Sequence, residues 1–508
     1  MSLAELLLET GRRPEAEALL RGLIDDYNGG RIPSGDGAHL ASVGRAAWLL
    51  GSARDANDAL EEAEAAGADD DFTHFARAEV FLETHDPGHA GEVLEEILAK
   101  QPSSAEGLAR MAEVRIAANL DLDEAARLAR RALETDPRLG RARAVLAGLA
   151  LRDQDFTAAD REIELGLAGE PGHLDLLSLR ATRSFLADDR AGFREARRAV
   201  LARDPEYSRL YRILGEHLDW AHRYEEAVEL LREALLVAPD DARVRAELGI
   251  QLIRGGEEEE GVRALARAFS ADPFNVRAWN TLRLYEKHVP ASYETREHGA
   301  FRIRYPKAEA PLLDRHVPAW LADTSRALTR RYDFTPKAPI GVELYPEREH
   351  FAVRTSGLPT TAIQGVCFGR TLAAMSPRDE RFNLGMTLWH ELSHVYHLQL
   401  SRSRVPRWFT EGLAEYETLV ARPEWARELD RELDRALAAG RVPGLLDLNL
   451  AFSRAEDVAD MATAYYASTH VVAHLAERHG MPALRRMLVA WAEGKSTREV
   501  LESSTGRP

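Results

Sequence analysis

Two histidines four positions apart, His390 and His394, lie in the run Thr387-Leu-Trp-His390-Glu391-Leu-Ser-His394. On a helix, positions i and i+4 share a face, so both imidazoles can reach one metal ion. Glu391 follows the first histidine and projects beside that ion, where a carboxylate can take a proton from water. These residue types at this spacing suit metal-assisted hydrolysis of a peptide bond. Zinc in hydrolytic sites takes three protein ligands and leaves one position open. The expected third ligand is Glu411, 17 residues beyond His394 in Trp408-Phe-Thr-Glu411-Gly-Leu-Ala-Glu415-Tyr416. It opens a fresh helix entered through Pro406, so a helix-loop-helix hairpin would return it to the histidines. Zn²⁺ is therefore the expected cofactor. Glu415 shares a helical face with Glu411 and is placed to accept a hydrogen bond from a histidine ring nitrogen, fixing its tautomer.

Other ligands compete poorly. A metzincin pattern would require Gly at 397 and His at 400, where this chain has His397 and Leu400. His397 reads as a surface or core residue, and the single cysteine, Cys367, as packing. The segment around Glu411 is similar to that of gluzincins of the aminopeptidase N and peptidase MA-like groups. That resemblance implies that Glu411 is the third zinc ligand and that Glu415 is the supporting acidic residue. It also implies a transition-state tyrosine on the helix ending at Gly480; counting back selects Tyr465, with Tyr466 as the fallback. His470, His474 and His479 on the same stretch read as plain helix residues. The resemblance further implies that the strand around Gln364–Leu372 is a sheet edge for an extended substrate. The chain lacks the Gly-x-Met-Glu-Asn-type signature that anchors a free amino terminus, which favours an endopeptidase.

The elements that must hold these residues begin after the solenoid described below. Ala300–Tyr305 alternates apolar and polar, as a half-buried strand does. A helix is expected over Pro311–Tyr332, a strand over Ile340–Tyr345, a helix over Arg348–Arg354, and strands around Ala362–Phe368 and Thr371–Met375. From Asn383 onward the pattern is helical. Mixed α and β followed by α alone suits an α+β zincin-like, thermolysin-like metallopeptidase domain, expected over residues 298–508.

Upstream, prolines recur at 102, 137, 171, 205, 239 and 273, spaced by 35 and then by 34 four times. A 34-residue period resembles the tetratricopeptide repeat, two helices per unit. Leu214-Gly215, Ala227 and Ala234 fall where paired helices must approach closely, and Pro239 ends that unit. The expected architecture is a multidomain chain: an all-α tetratricopeptide solenoid over 1–285, a linker over 286–297 broken by Pro290, then the peptidase domain. The solenoid's concave groove is the expected seat of a protein or peptide partner; the bland alternative is a rigid support.

The chain has 508 residues, more than one core usually spans, and a formal net charge of −17. Such acidity argues against nucleic acid as a partner. The single cysteine excludes an internal disulfide framework. No apolar run reaches the roughly 18 residues of a membrane span. The N-terminus shows no signal-peptide pattern. The expected compartment is cytoplasmic, or extracytoplasmic if the sequence starts downstream of its natural N-terminus. The function expected overall is a zinc metallopeptidase fed by the solenoid. The alternative is a tetratricopeptide scaffold whose peptidase-like domain binds zinc without turnover.

Overall fold

The computed structural model describes residues 3–118, 122–359, 363–378, 381–426, 429–453, 455 and 458–506. Met1, Ala362 and Pro508, which bound three of the expected segments, lie outside the described residues. The chain divides into two compact units. One comprises Met1–Leu218, Ala227–Ile250 and Arg263–Trp279; the other comprises Asp219–Glu226, Gln251–Val262 and Asn280–Pro508.

The first unit is built of packed helix pairs. Gly37–Leu49 pairs with Ala53–Ala65, Asp71–Glu83 with Pro87–Lys100, Ala105–Ala117 with Leu122–Thr135, Gly140–Arg152 with Phe156–Gly169, and Leu174–Leu186 with Arg190–Arg203. Asp86, Asp155 and Asp189 each cap a second helix by accepting a backbone N–H with the side chain. The residue before each cap, His85, Gln154 or Asp188, has φ near +60°. A left-handed residue in the inter-helix turn therefore recurs with the repeat, a signal hidden in the sequence because the residue type varies. Ala56, Ala90, Ala125, Ala159 and Ala227 are fully buried, as close helix approach requires.

Helices far apart in the chain also meet within this unit. Glu83 is met by Arg209, by Arg212 at 2.6 Å and by Arg243 at 3.4 Å, partners 126 to 160 residues further along. The backbone N–H of Val276 also donates to the Thr84 carbonyl at 2.9 Å. Early and late helices of this unit thus meet.

The second unit carries a five-stranded sheet and the helices that hold the site. Its elements are β1 (Tyr293–His298), β2 (Phe301–Pro306), α1 (Ala310–Tyr332), β3 (Ile340–Tyr345), α2 (Arg348–Ser356), β4 (Gly365–Cys367), β5 (Thr371–Met375), α3 (Leu384–Leu400), α4 (Arg407–Ala421), α5 (Asp430–Ala438), α6 (Val458–His479), α7 (Met481–Ala492) and α8 (Thr497–Thr505). The sheet order is β1-β2-β3-β5-β4; the two outer pairings are antiparallel and the two inner ones parallel. β5 is buried along its whole length, and α3 packs against β4, β5, α1, α4 and α7. The core between them holds Trp408, Tyr305, Tyr332, Tyr396 and Phe409, each nearly inaccessible to solvent.

The expected linker over 286–297 is corrected. Residues Leu284–Ser292 are helical, and Tyr293–His298 is strand β1. Pro290 lies inside this continuous helical run, just after the π-turn Leu284–His288, so the helix carries it and does not end there. β1 escaped notice because only Tyr293 in Tyr-Glu-Thr-Arg-Glu-His is buried. The unit boundary falls near Asn280, and two turn segments of the repeat region, Asp219–Glu226 and Gln251–Val262, belong with the sheet-containing unit.

Candidate metal centre

α3 starts at an Asn383 cap, whose side chain accepts from the Met386 N–H. After its end at Leu400 the chain reverses through Arg402 and Ser403, both left-handed with φ of 50° and 59°. Pro406, extended at φ −66° and ψ 149°, then delivers α4, and Asn449 accepts the Trp408 N–H at 3.1 Å. This tight reversal is what returns Glu411 to the histidines. Gly412, directly after it, permits the next contact: a β-carbon there would stand 2.4 Å from the Ser468 carbonyl oxygen, so α6 lies directly against α4.

His390, His394 and Glu411 form a group able to hold a metal ion. His390 Nε2 lies 3.0 Å from His394 Nε2, and Glu411 Oε2 lies 3.3 Å from each of those nitrogens. Donors about 2.0–2.2 Å from a tetrahedral zinc stand roughly 3.3–3.5 Å apart, so the set fits that ion with little adjustment. The other ring nitrogen of each histidine is occupied. His390 Nδ1 faces Glu415 Oε1 at 3.3 Å, and His394 Nδ1 lies 2.8 Å from Thr410 Oγ1. Glu415 thus takes its expected place beside His390, while Thr410, which spacing alone did not suggest, serves His394.

The charges are tightly linked. Burial opposes charge on His390, yet the adjacent Glu411 and Glu415 hold its pKa well above the usual histidine value. Burial likewise opposes charge on Glu411, but the two imidazoles hold it well below the carboxylate range. Glu391 is pushed upward, first by burial and then, against the pull of the histidines, by Glu411 and Glu415. Arg407 Nε lies 3.7 Å from Glu411 Oε1.

Tyr465 is brought to the site: its ring centroid lies 6.3 Å from that of His390, and it packs edge-on against Phe452. Burial raises its phenol pKa, and the Glu411 charge adds to the effect. Tyr466 instead donates to Asp430 Oδ1 at 2.6 Å on the exposed side. His470 and His474 are exposed and His479 half-buried, all outside the ligand group. His397 is fully buried and one hydroxyl away from His394, since Thr410 Oγ1 also lies 3.1 Å from its Nδ1. Cys367 is buried on β4, an edge strand. His222 was not anticipated; burial, and next the charge of Arg407, depress its pKa to about 4, and Glu411 and His394 also act on it. Its Nδ1 pairs with the Tyr224 hydroxyl at 2.9 Å.

A tetratricopeptide repeat profile matches residues 218–284. Solved structures similar to the chain include YrrB, described as a TPR protein with an unusual peptide-binding site, at 15% identity over 37% of this chain and 97% of that one, with a TM-score of 0.23. A tetratricopeptide repeat protein from Parabacteroides merdae is 12% identical over 47% of this chain and 93% of that one, with a TM-score of 0.27. The Cut9–Hcn1 hetero-tetramer of the APC/C is 14% identical over 53% and 58%, with a TM-score of 0.25. No curated protein matches the sequence. The N-terminal region of about 290 residues is a tetratricopeptide-type helical solenoid, an architecture suited to protein interaction. No described helix is long and apolar enough to cross a membrane.

Proposed function

We propose that the second unit is a zinc-dependent metallopeptidase of gluzincin type, acting as an endopeptidase on a protein or peptide, and that the solenoid binds substrate or partner. The observation that carries this reading is the trio of donor atoms 3.0–3.3 Å apart, beside a buried carboxylate and a phenol. His390, His394 and Glu411 would hold Zn²⁺, which lowers the pKa of water and polarises a carbonyl. Glu391 takes a proton from the attacking water and passes it to the leaving amine. Its raised pKa suits a group that must accept and then release a proton near neutrality. Tyr465, kept protonated by burial, donates to the developing oxyanion. Glu415 and Thr410 keep the histidine Nδ1 atoms engaged and their Nε2 atoms turned to the metal. β4, an edge strand among the described residues, offers backbone groups for an extended substrate.

Metal analysis of the purified protein, followed by labelling with a zinc-chelating hydroxamate probe, tests the reading. Stoichiometric zinc and active-site labelling are expected. Zinc without labelling or turnover would point to an interaction scaffold with a silent site, and absence of zinc binding would overturn both.

A further inference from the structure

A file of buried hydrogen bonds runs from the ligand His394 through Thr410 and His397 to α1, and its further members, Tyr332, Glu417 and Arg331, are outside the site already described. His394 Nδ1 lies 2.8 Å from Thr410 Oγ1, which lies 3.1 Å from His397 Nδ1. His397 Nε2 lies 2.8 Å from the Tyr332 hydroxyl, which donates to Glu417 Oε1 at 3.0 Å. Glu417 Oε2 ends the file in an ion pair with Arg331 Nε at 2.6 Å. Thr410, His397, Tyr332 and Glu417 are at most 2% exposed, so these contacts are shielded from bulk solvent.

We propose that Glu417 is a positioning residue for His394: through Tyr332, His397 and Thr410 its carboxylate fixes a proton on His394 Nδ1 and leaves Nε2 bare for the metal. The proposal rests on the zinc reading above, but its chemistry is that of hydrogen-bond direction. Burial pushes the Glu417 carboxyl upward and Arg331, 2.6 Å away, pulls against it; the ionised carboxylate of that pair only accepts, so Glu417 takes the single proton of Tyr332. The phenol oxygen can then only accept from His397, which must carry its proton on Nε2. His397 is fully buried with two hydroxyls, and no carboxylate, as its hydrogen-bond partners, so it holds a single proton. Its Nδ1 is therefore a lone pair and accepts the one hydroxyl proton of Thr410. Thr410 Oγ1 in turn accepts from His394 Nδ1–H, and His394 Nε2 is left unprotonated, 3.3 Å from Glu411 Oε2. Without the charge on Glu417 the same contacts are equally satisfied by the reversed order of donors. That order places a proton on His394 Nε2, where the metal must sit. The carboxylate chooses between the two directions.

The test is histidine-selective ¹⁵N NMR of the full-length metal-free protein, comparing wild type with Glu417→Gln and Tyr332→Phe, each checked for fold by its amide spectrum. Wild type is expected to show His397 protonated on Nε2 and His394 on Nδ1. In the variants His397 should move its proton to Nδ1, His394 should lose its single tautomer, and the Zn²⁺ dissociation constant should rise about 10- to 100-fold. If Glu417→Gln does not fold, Tyr332→Phe alone decides, since it removes one hydroxyl from the file. A wild-type His397 protonated on Nδ1, or unchanged tautomers in a folded variant, would overturn the proposal. Tautomers that shift as expected in a protein that never binds Zn²⁺ would uphold the file and remove the metal reading instead.

Discussion

Gly365 lies directly against the general-base candidate Glu391: a β-carbon on Gly365 would stand 2.5 Å from Glu391 Oε1. The contact joins the edge strand β4 to helix α3 at the point where chemistry is expected. The clashing atoms belong to the end of a flexible side chain, so Gly365→Ala should fold while turning the carboxylate aside. Zinc content is expected to be unchanged and peptide hydrolysis reduced about 10²-fold, since small misplacements of a catalytic group cost that much. Steady-state kinetics on zinc-loaded protein checks this, and wild-type turnover would show that Glu391 does not act from this position.

Zinc binding should expel protons. The carboxylates of Glu411 and Glu415 keep the metal-free His390 protonated at neutral pH, and a protonated imidazole cannot bind a metal. Calorimetric titrations at pH 7 in buffers of different ionisation enthalpy should give about one proton released per zinc. An ordinary histidine would release only a small fraction of one. Affinity should fall as the pH is lowered, because the proton competes for His390.

Gly412→Ala places a β-carbon 2.4 Å from the Ser468 backbone oxygen, and backbone cannot move aside cheaply. α4 and α6 should be forced apart, at a cost of about 1–3 kcal/mol in chemical denaturation. The same movement draws Tyr465 on α6 away from Glu411 on α4, so hydrolysis should fall beyond what the loss of folded protein explains.

Arg354 is wholly buried on α2. Its guanidinium donates to both oxygens of Glu343 on β3, at 2.7 and 2.9 Å, and to the Ile253 carbonyl at 3.3 Å. Arg354→Met leaves Glu343 with Arg304, 3.5 Å away, as its remaining cationic partner. A loss of about 3–5 kcal/mol is expected, because breaking a buried pair strands a charge. Thermal unfolding measures it.

What the sequence made legible was periodic or local. The proline period marked the helix pairs, and β3 occupies Ile340–Tyr345 as expected. α1 runs from Ala310 to Tyr332, one residue longer than expected. His390, His394, Glu411 and Glu415 come together because their spacing is set within two helices and one short reversal, whereas Tyr465, picked out by the resemblance, arrives through the packing of α6 on α4. Contacts joining distant segments left no such trace. Tyr332 meets His397 and Glu417 across 65 and 85 residues, and Glu83 meets Arg209 across 126. β1 stayed hidden because it is a polar edge strand.

The central claim is that Glu391 acts as base beside zinc held by His390, His394 and Glu411. Mass-spectrometric mapping of new peptide termini in a proteome-derived peptide library, after exposure to zinc-loaded wild type or Glu391→Gln, tests it most directly. Discrete cleavages by wild type are expected, with none from a variant that retains stoichiometric zinc. Equal cleavage by the two proteins would contradict the account.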